Sequence, residues 1–172
     1  PDSNRNGRPV YEIEKASYTL ADAKAGKNKD GQAVKVLSVP MVYKTADGVE
    51  IIKTFTFKQG EYPVMVSHKV VNRSGQNWQG QMFGQIKRDN SDDPGKSSQG
   101  IFTLGTFLGG AWGTPDEHYN KLKFANFNDE KLNVEAKGGW VAVVQHYFVS
   151  AWIPGDLKLT QANGQPYSAK LE

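Results

Sequence analysis

The chain of 172 residues contains 21 Lys or Arg and 18 Asp or Glu residues, 38% hydrophobic residues and no cysteine. This length and polarity predict one soluble domain that can bury a core and is too polar for lipid. The basic residues are spread singly along the chain, which speaks against nucleic-acid binding. The lack of cysteine excludes a disulfide scaffold, a Cys-ligated zinc site and a thiol nucleophile.

The first half of the chain alternates apolar and polar residues with a period of two. This pattern predicts strands at residues 34–39, 51–58 and 62–70. Turn dipeptides lie between or after these strands, namely Asp47-Gly48, Gln59-Gly60 and Ser74-Gly75. Together they predict a meander of antiparallel hairpins. Further patterns of this kind predict one strand at the start of the chain, from residues 11–14 with 17–20, and one more at 81–87.

The polar segment 90–100 contains a proline, is bounded by glycine, and is predicted to be a surface loop. Residues 101–108 resume a strand-like pattern, which the glycine-rich stretch 109–113 is expected to break. Thr114 and Pro115, with two acidic residues directly after them, predict the start of a short helix. A hydroxyl cap, a proline at the first helical position and acids in the first turn all favour helix initiation.

The most apolar stretch, GGWVAVVQHYFVSAWIP, covers residues 138–154. It is too short for a membrane span, which takes about 20 apolar residues, and it carries Gln145 and His146 at its middle. Its Val and aromatic content predicts strand 140–144, a turn, and strand 147–153. Apolar side chains on both faces predict a central core position covered on both sides. The alternative is that Trp140 or Trp152 lines a cleft.

No pattern of catalytic or metal-binding residues stands out in the sequence. The three histidines, His68, His118 and His146, do not have the spacing of metal ligands. The acidic pair Asp116-Glu117 is explained by the dipole of the predicted helix, and Asp92-Asp93 would need further oxygen ligands to hold calcium. We therefore expect no cofactor, no metal and no enzymatic activity, and a binding or scaffolding role. Exposed Trp and Tyr side chains could stack on sugars or hold extended peptides.

Four stretches taken together resemble a known family. They are NGRPVYEIEK from Asn6, TFTFKQGEY from Thr54, TPDEHYNKLKF from Thr114 and KGGWVAVVQHYFVSAWIP from Lys137. Their order and spacing are similar to those of the large periplasmic domain of the bacterial membrane-protein insertase YidC, in its Gram-negative form. The resemblance covers the chain from about residue 6 to residue 154.

The resemblance implies an all-β fold, a β-supersandwich of antiparallel sheets with galactose-mutarotase-like topology and one or two short helices. Compared with the family domain, the chain is expected to be truncated at both ends, with Leu171-Glu172 as a cloning scar outside the fold. Sheet edges would then be exposed and could pair between chains. The segment 21–33 is expected to be a mobile insertion in a hairpin turn.

The resemblance also implies a function. The parent protein inserts and folds inner-membrane proteins, alone or with the Sec translocon, and this chain would be its non-catalytic interaction domain on the periplasmic side. Expected partners are translocon accessory subunits and nascent clients. The alternative is a carbohydrate-binding or mutarotase-like sandwich. If a cleft exists, the expected lining residues are Trp112, Tyr119, Phe107 and Trp78, beside the glycine-rich turn and the short helix.

Overall fold

The computed structural model describes residues 9–80, 82–88, 107–127, 129–130, 132–136, 138–145, 147–154 and 167–171. The chain divides into two compact units, Pro1–Gly80 and Gln81–Glu172. The described residues form antiparallel sheets and two 3-10 helices of three residues each, Leu20–Asp22 and Phe124–Asn126. The predicted all-β class is confirmed.

The described residues of the first unit form a five-stranded antiparallel sheet. Its strands are β1 (Glu12–Ile13), β2 (Lys24–Lys27), β3 (Ala33–Lys44), β4 (Val49–Lys58) and β5 (Val64–Asn72). The order is β1-β3-β4-β5, and β2 also pairs with β3. Strands β3, β4 and β5 confirm the three main predictions for the first half of the chain. Predicted strand 11–14 is present only as the two residues of β1.

Alternation along the strands gives this sheet two different faces, because successive side chains point to opposite sides. The register places apolar residues opposite one another on one face, which we call the apolar face: Leu37, Val39, Met41, Tyr43, Ile51, Phe55, Phe57, Val64, Val66 and Val70. The other face carries hydroxyl side chains, and the oxygens of Ser38 and Thr56 lie 3.5 Å apart. Val49, at the start of β4, is the most deeply buried apolar side chain described in this unit, with 1% of its surface exposed.

Two expectations for residues 17–33 are wrong. Residues 17–20 do not form a strand, because the Thr19 hydroxyl accepts a hydrogen bond from the Ala21 N–H and caps the first 3-10 helix. Asp22 accepts from the Thr19 N–H at 2.8 Å and pairs with Lys15. The segment 21–33 is not an insertion within a turn, because β2 pairs with β3 and only residues 28–32 form the connection.

The second unit contains six described strands in two antiparallel sheets. They are β6 (Gly109–Gly113), β7 (Asn120–Lys123), β8 (Leu132–Ala136), β9 (Trp140–Val144), β10 (Val149–Trp152) and β11 (Tyr167–Leu171). The larger sheet has the order β10-β9-β6-β7, and β8 pairs with β11. Leu171, which was expected to lie outside the fold, is in β11 opposite Leu132.

The glycine-rich stretch that was expected to break the chain is β6, the most buried strand described. Ala111 has 0% of its surface exposed, and Gly109, Gly110 and Gly113 are also buried. Two of the glycines leave space for aromatic rings. A Cβ at Gly109 would lie 2.7 Å from the Phe107 ring. The prediction was wrong because pairing with β7 and β9 on both sides outweighs the weak strand propensity of glycine.

The predicted helix at Thr114 is also absent. The Thr114 N–H donates to the Glu117 carbonyl at 2.7 Å, and the Glu117 N–H donates to the Thr114 hydroxyl at 2.9 Å. These bonds close a turn that leads into β7, so the hydroxyl that suggested a helix cap serves a strand connection instead. The helix that does form nearby is the 3-10 helix Phe124–Asn126.

The predicted strand 81–87 is wrong for its described part, since residues 82–88 have no regular secondary structure. They pack against the sheet instead. A Cβ at Gly84 would lie 2.8 Å from the ring of Trp152 in β10. Of the predicted strand 101–108, residues 101–106 lie outside the described residues. Asp92-Asp93, His146 and the predicted loop 90–100 also lie outside them.

The apolar stretch 138–154 folds as the predicted hairpin of β9 and β10. The Gln145 N–H donates to the Phe148 carbonyl at 2.8 Å, and the Phe148 N–H donates back at 3.2 Å. The expectation of a core position covered on both sides is wrong for the second half. Ala142 in β9 is 1% exposed, whereas Phe148 is 72% and Val149 67% exposed. The physical reason is that β10 ends the order of the described sheet.

Candidate interaction site

The four predicted lining residues are divided between the two units. Phe107, Trp112 and Tyr119 lie in or beside β6 and β7 in the second unit, and Trp78 lies in the first. Trp78 is 40% exposed, and its ring lies against Gly80. Trp112 is half-buried within β6, opposite Asn120 and Val141.

One face of the second sheet gathers aromatic rings around β6. Tyr119 is 60% exposed, and its ring centroid lies 6.0 Å from that of Trp140. The Trp140 indole lies against Gly113, because a Cβ there would be 2.5 Å from its nitrogen. Trp112, adjacent to Gly113 along the strand, points to the opposite face. The structure therefore brings Tyr119 together with Trp140 and separates it from Trp112.

Phe107 lies on the same face as Trp140, since its ring packs over Gly109 and residues 109, 111 and 113 share one side of β6. The Lys121 ammonium lies 5.1 Å from the centre of the Phe107 ring, within the range of a cation–π contact. We call Phe107, Tyr119, Lys121 and Trp140 the aromatic face. It presents flat rings and one positive charge.

Sequence reasoning named Trp140 only as an alternative cleft residue and did not include Lys121. A signal for Trp140 was present in the small residues at alternate positions of β6, which are Gly109, Ala111 and Gly113. Small side chains at every second position leave room for large rings on one face of a sheet. No sequence signal placed Lys121 beside Phe107, because the two residues are brought together by the pairing of β6 with β7.

The outer edge of β5 is a second exposed feature. This strand is nine residues long and ends the order of its sheet, so no described strand pairs with its outer side. Its side chains are exposed on both faces, with Met65 63%, Val64 44% and Val70 36% exposed. An edge strand of this length offers a row of backbone N–H and C=O groups to an extended peptide.

Two basic side chains lie near the middle of the apolar face of the first sheet. Lys53 and His68 are directly opposite each other in the β4–β5 ladder. The Lys53 ammonium lies 4.9 Å from the centre of the Phe55 ring. Partial burial, and to a smaller extent the charge of Lys53, lower the pKa of His68 below its ordinary value.

Three other ionisable residues considered from the sequence, Asp116, Glu117 and His118, are exposed. Asp116 and Glu117 lie in the connection between β6 and β7, where Glu117 accepts a hydrogen bond from the Asn120 side chain at 3.0 Å. Within the described ranges, no group of three or more His, Asp or Glu residues could hold a metal ion. No helix in the described part of the chain is long and apolar enough to cross a bilayer.

The described residues thus define an all-β domain of antiparallel sheets that exposes a strand edge and a group of aromatic side chains. The chain belongs to the YidC periplasmic domain family, whose model matches residues 3–171. The predicted family resemblance is confirmed.

Curated relatives agree with this assignment. The chain is 44% identical over 155 residues to the membrane protein insertase YidC of Alcanivorax borkumensis, a match that covers 89% of the chain and 25% of the relative. It is 43% identical over 154 residues to that of Marinomonas sp. and 44% identical over 154 residues to that of Pseudomonas putida, each covering 90% of the chain. The chain spans about a quarter of the length of these relatives.

Proposed function

We propose that the chain is a non-enzymatic interaction domain on the periplasmic side of the bacterial inner membrane, within a protein that inserts and folds membrane proteins. Family membership and the name of the relatives support this role. In this proposal the whole protein works alone or with the Sec translocon. The domain holds extended segments of nascent clients or of translocon accessory subunits.

The observation that carries the proposal is the open edge of β5. A partner segment added beside β5 would form backbone hydrogen bonds along a strand of nine residues. Each such bond contributes about 1 kcal/mol net, so a few suffice for weak and reversible binding. Exposed Val64 and Val70 on the apolar face add contact area for apolar side chains of the partner.

The aromatic face is the second contact region of the proposal. Tyr119 and Phe107 would pack against apolar or aromatic side chains of a partner, while Trp112 and Trp78 are proposed contacts outside this face. Rings with few rotatable bonds supply large contact areas at a small loss of side-chain entropy. Binding at this face does not require the β5 edge, so the two regions can be tested separately.

In-cell photo-crosslinking in the full-length parent protein tests the proposal. A photoreactive residue at Met65 or Val70 probes the β5 edge, and one at Tyr119 probes the aromatic face. Val10, which is 80% exposed, serves as the control position. Crosslinks to nascent clients or translocon subunits from the probes, and not from Val10, are expected.

If no position in a scan over the whole exposed surface gave a crosslink to a client or a translocon subunit, the result would contradict the proposal and favour a spacer role. Crosslinks between two copies of the chain from Met65 would instead indicate self-association through the β5 edge. Either result would remove the open edge as the argument for client binding.

A sugar-binding role is the second candidate, and exposed Tyr119 beside Trp140, with the Glu117 carboxylate in the neighbouring turn, favours it. Aromatic rings and an adjacent carboxylate are a common combination for holding a sugar ring. Titration with neutral monosaccharides, followed by tryptophan fluorescence, tests this role. A saturable change lost in Tyr119→Ala would support it, and no change at millimolar sugar would exclude it.

A further inference from the structure

The tip of the β9–β10 hairpin carries an exposed apolar surface. Tyr147 in the turn is 84% exposed, Phe148 next to it is 72% exposed, and Val149, the first residue of β10, is 67% exposed. We call these three residues the hairpin patch. Scattered single apolar residues are ordinary on a protein surface, but several large ones together mark a contact with another molecule or with a membrane.

A small concavity of about 120 Å³ lies beside the hairpin patch. Its walls are Ile86, Lys87, Arg88, Val143, Gln145, Phe148 and Ser150. Phe148 therefore belongs to both features. Lys87 and Arg88 bring two positive charges, Gln145 and Ser150 bring polar groups, and no carboxylate is among these lining residues. The composition suits an anion.

The segment that carries these two charges is held against the hairpin. Gly84 lies against the Trp152 ring, in a space that a larger residue would not fit. The Arg88 guanidinium lies 5.3 Å from the centre of the Phe124 ring, which positions that side chain through a cation–π contact. The charges and the exposed rings are thus parts of one surface within the second unit.

We propose that this surface docks onto the head-group region of a bilayer that contains anionic phospholipid. Phe148 and Tyr147 enter the boundary between head groups and acyl chains, where aromatic side chains are favoured. The exposed Lys87 faces the lipid phosphates, and attraction to an anionic surface contributes about a fivefold gain in affinity per basic residue. The inference rests on the proposed inner-membrane location and is independent of binding at β5.

Charge complementarity selects the lipid over other occupants. A second copy of the chain, which carries a net charge of +3, would have to approach through a surface that is itself basic. A phospholipid supplies a phosphate and an apolar region side by side, which matches the order of concavity and hairpin patch. An acidic peptide and a second copy are outcomes that the experiment separates from the lipid.

Vesicle co-sedimentation of the 172-residue chain tests the proposal. Binding is expected with vesicles of phosphatidylethanolamine and phosphatidylglycerol, and not with phosphatidylcholine alone. Lys87→Gln should weaken binding about fivefold, because one positive charge is lost. Phe148→Ser should weaken it at least about tenfold, because the ring that enters the bilayer is lost. Lys69→Gln and Tyr62→Ser are matched controls in the first unit, at exposed positions, and should bind as the unaltered chain does.

A second measurement reports insertion directly. Phe148→Trp places an indole at the hairpin tip, and its fluorescence should be quenched by vesicles with brominated acyl chains. Tyr62→Trp, at a position that is 101% exposed, should show no additional quenching. Far-UV circular dichroism of each variant confirms that the sheets are intact.

Three results would overturn the proposal. The first is equal binding to zwitterionic and anionic vesicles, or equal quenching of the two introduced tryptophans. The second is binding of inorganic phosphate, without vesicles, with the same dependence on Lys87 and Phe148, which would indicate a small-anion site. The third is a dimer, or a complex with an acidic peptide, that is lost in Phe148→Ser while vesicle binding is absent.

Discussion

At the scale of single residues, Gly113 shows how the absence of a side chain determines the packing of β6. A Cβ at this buried position would collide with the backbone carbonyl of His118 and lie 2.5 Å from the Trp140 indole nitrogen. Neither the carbonyl nor the ring can move without disturbing the pairing of β6 with its neighbours.

We therefore expect Gly113→Ala to lower the free energy of unfolding by about 1–3 kcal/mol, as overpacking of a filled site does. Gly26→Ala is the matched control, because the nearest atom to its Cβ is a methyl group of Val36 that can shift. That variant should stay within about 1 kcal/mol of the unaltered chain. Chemical denaturation measures both changes, and equal stability of the two variants would contradict the packing argument.

His68 gives a prediction about pH. Because its pKa is lowered in the folded chain, the unfolded chain binds the proton more readily between the folded pKa and the ordinary value of 6.5. Its contribution to stability is therefore fully present above pH 6.5 and is lost as the pH falls through the folded pKa. His68→Gln should flatten the dependence of stability on pH in that window.

The pKa of His68 can be measured from the chemical shift of its Cε1 proton. In Lys53→Met this pKa should rise but stay below 6.5, since burial is the larger cause and the charge of Lys53 the smaller one. A pKa above 6.5 in the unaltered chain, or no response to the Lys53 substitution, would contradict the assigned causes.

At the scale of elements, the outer edge of β5, with which no described strand pairs, gives the next prediction. The double substitution Val64→Lys and Met65→Lys places a positive charge on each face of the edge, a feature that opposes pairing with another strand. If one or two backbone hydrogen bonds to the partner are lost, crosslinking from Val70 should fall about fivefold to thirtyfold.

Tyr62→Lys is the control for this edge, because Tyr62 lies two residues before the strand and is 101% exposed. It adds a charge without touching the paired residues and should leave crosslinking unchanged. Thermal unfolding of each variant checks that the sheet is intact. Undiminished crosslinking in the double variant would mean that partners do not add to this edge.

At the scale of the whole molecule, the length of 172 residues predicts a single domain that unfolds cooperatively. In Trp78→Phe the remaining tryptophans, Trp112, Trp140 and Trp152, all report on the second unit, whereas the His68 resonance reports on the first. The two signals should change at the same denaturant concentration. Separate midpoints would show two independent folding units and contradict the single-domain prediction.

The sequence alone determined the secondary-structure elements that can be predicted from residues close together along the chain. Strands β3, β4 and β5 follow from a period of two with turn residues between them, and the β9–β10 hairpin from its Val and aromatic content. The family was also readable from the sequence, because four stretches kept their order and spacing over most of the chain. Neither the strand positions nor the family depended on which strands are neighbours in a sheet.

The tertiary structure decided the features that depend on distant partners. Gly109–Gly113 is a strand because β7 and β9 pair with it on both sides, although its own residues suggest a break. Thr114 closes a turn to Glu117, since the chain must return into β7 at that point. Of the candidate residues, Tyr119 contacts the Trp140 ring. Trp112 lies on the opposite face of the sheet, because it alternates with Gly113 along β6 and Gly113 pairs with Trp140.

The hairpin 138–154 combines both kinds of information. Its two strands and turn could be predicted, but its expected burial on both sides was wrong for Phe148 and Val149. Hydrophobicity shows which side chains would gain from burial, whereas the place of a strand within its sheet decides which of them are covered. Local sequence therefore determined the strands of this chain, and only the packing of strands against one another decided which surfaces remain open for a partner.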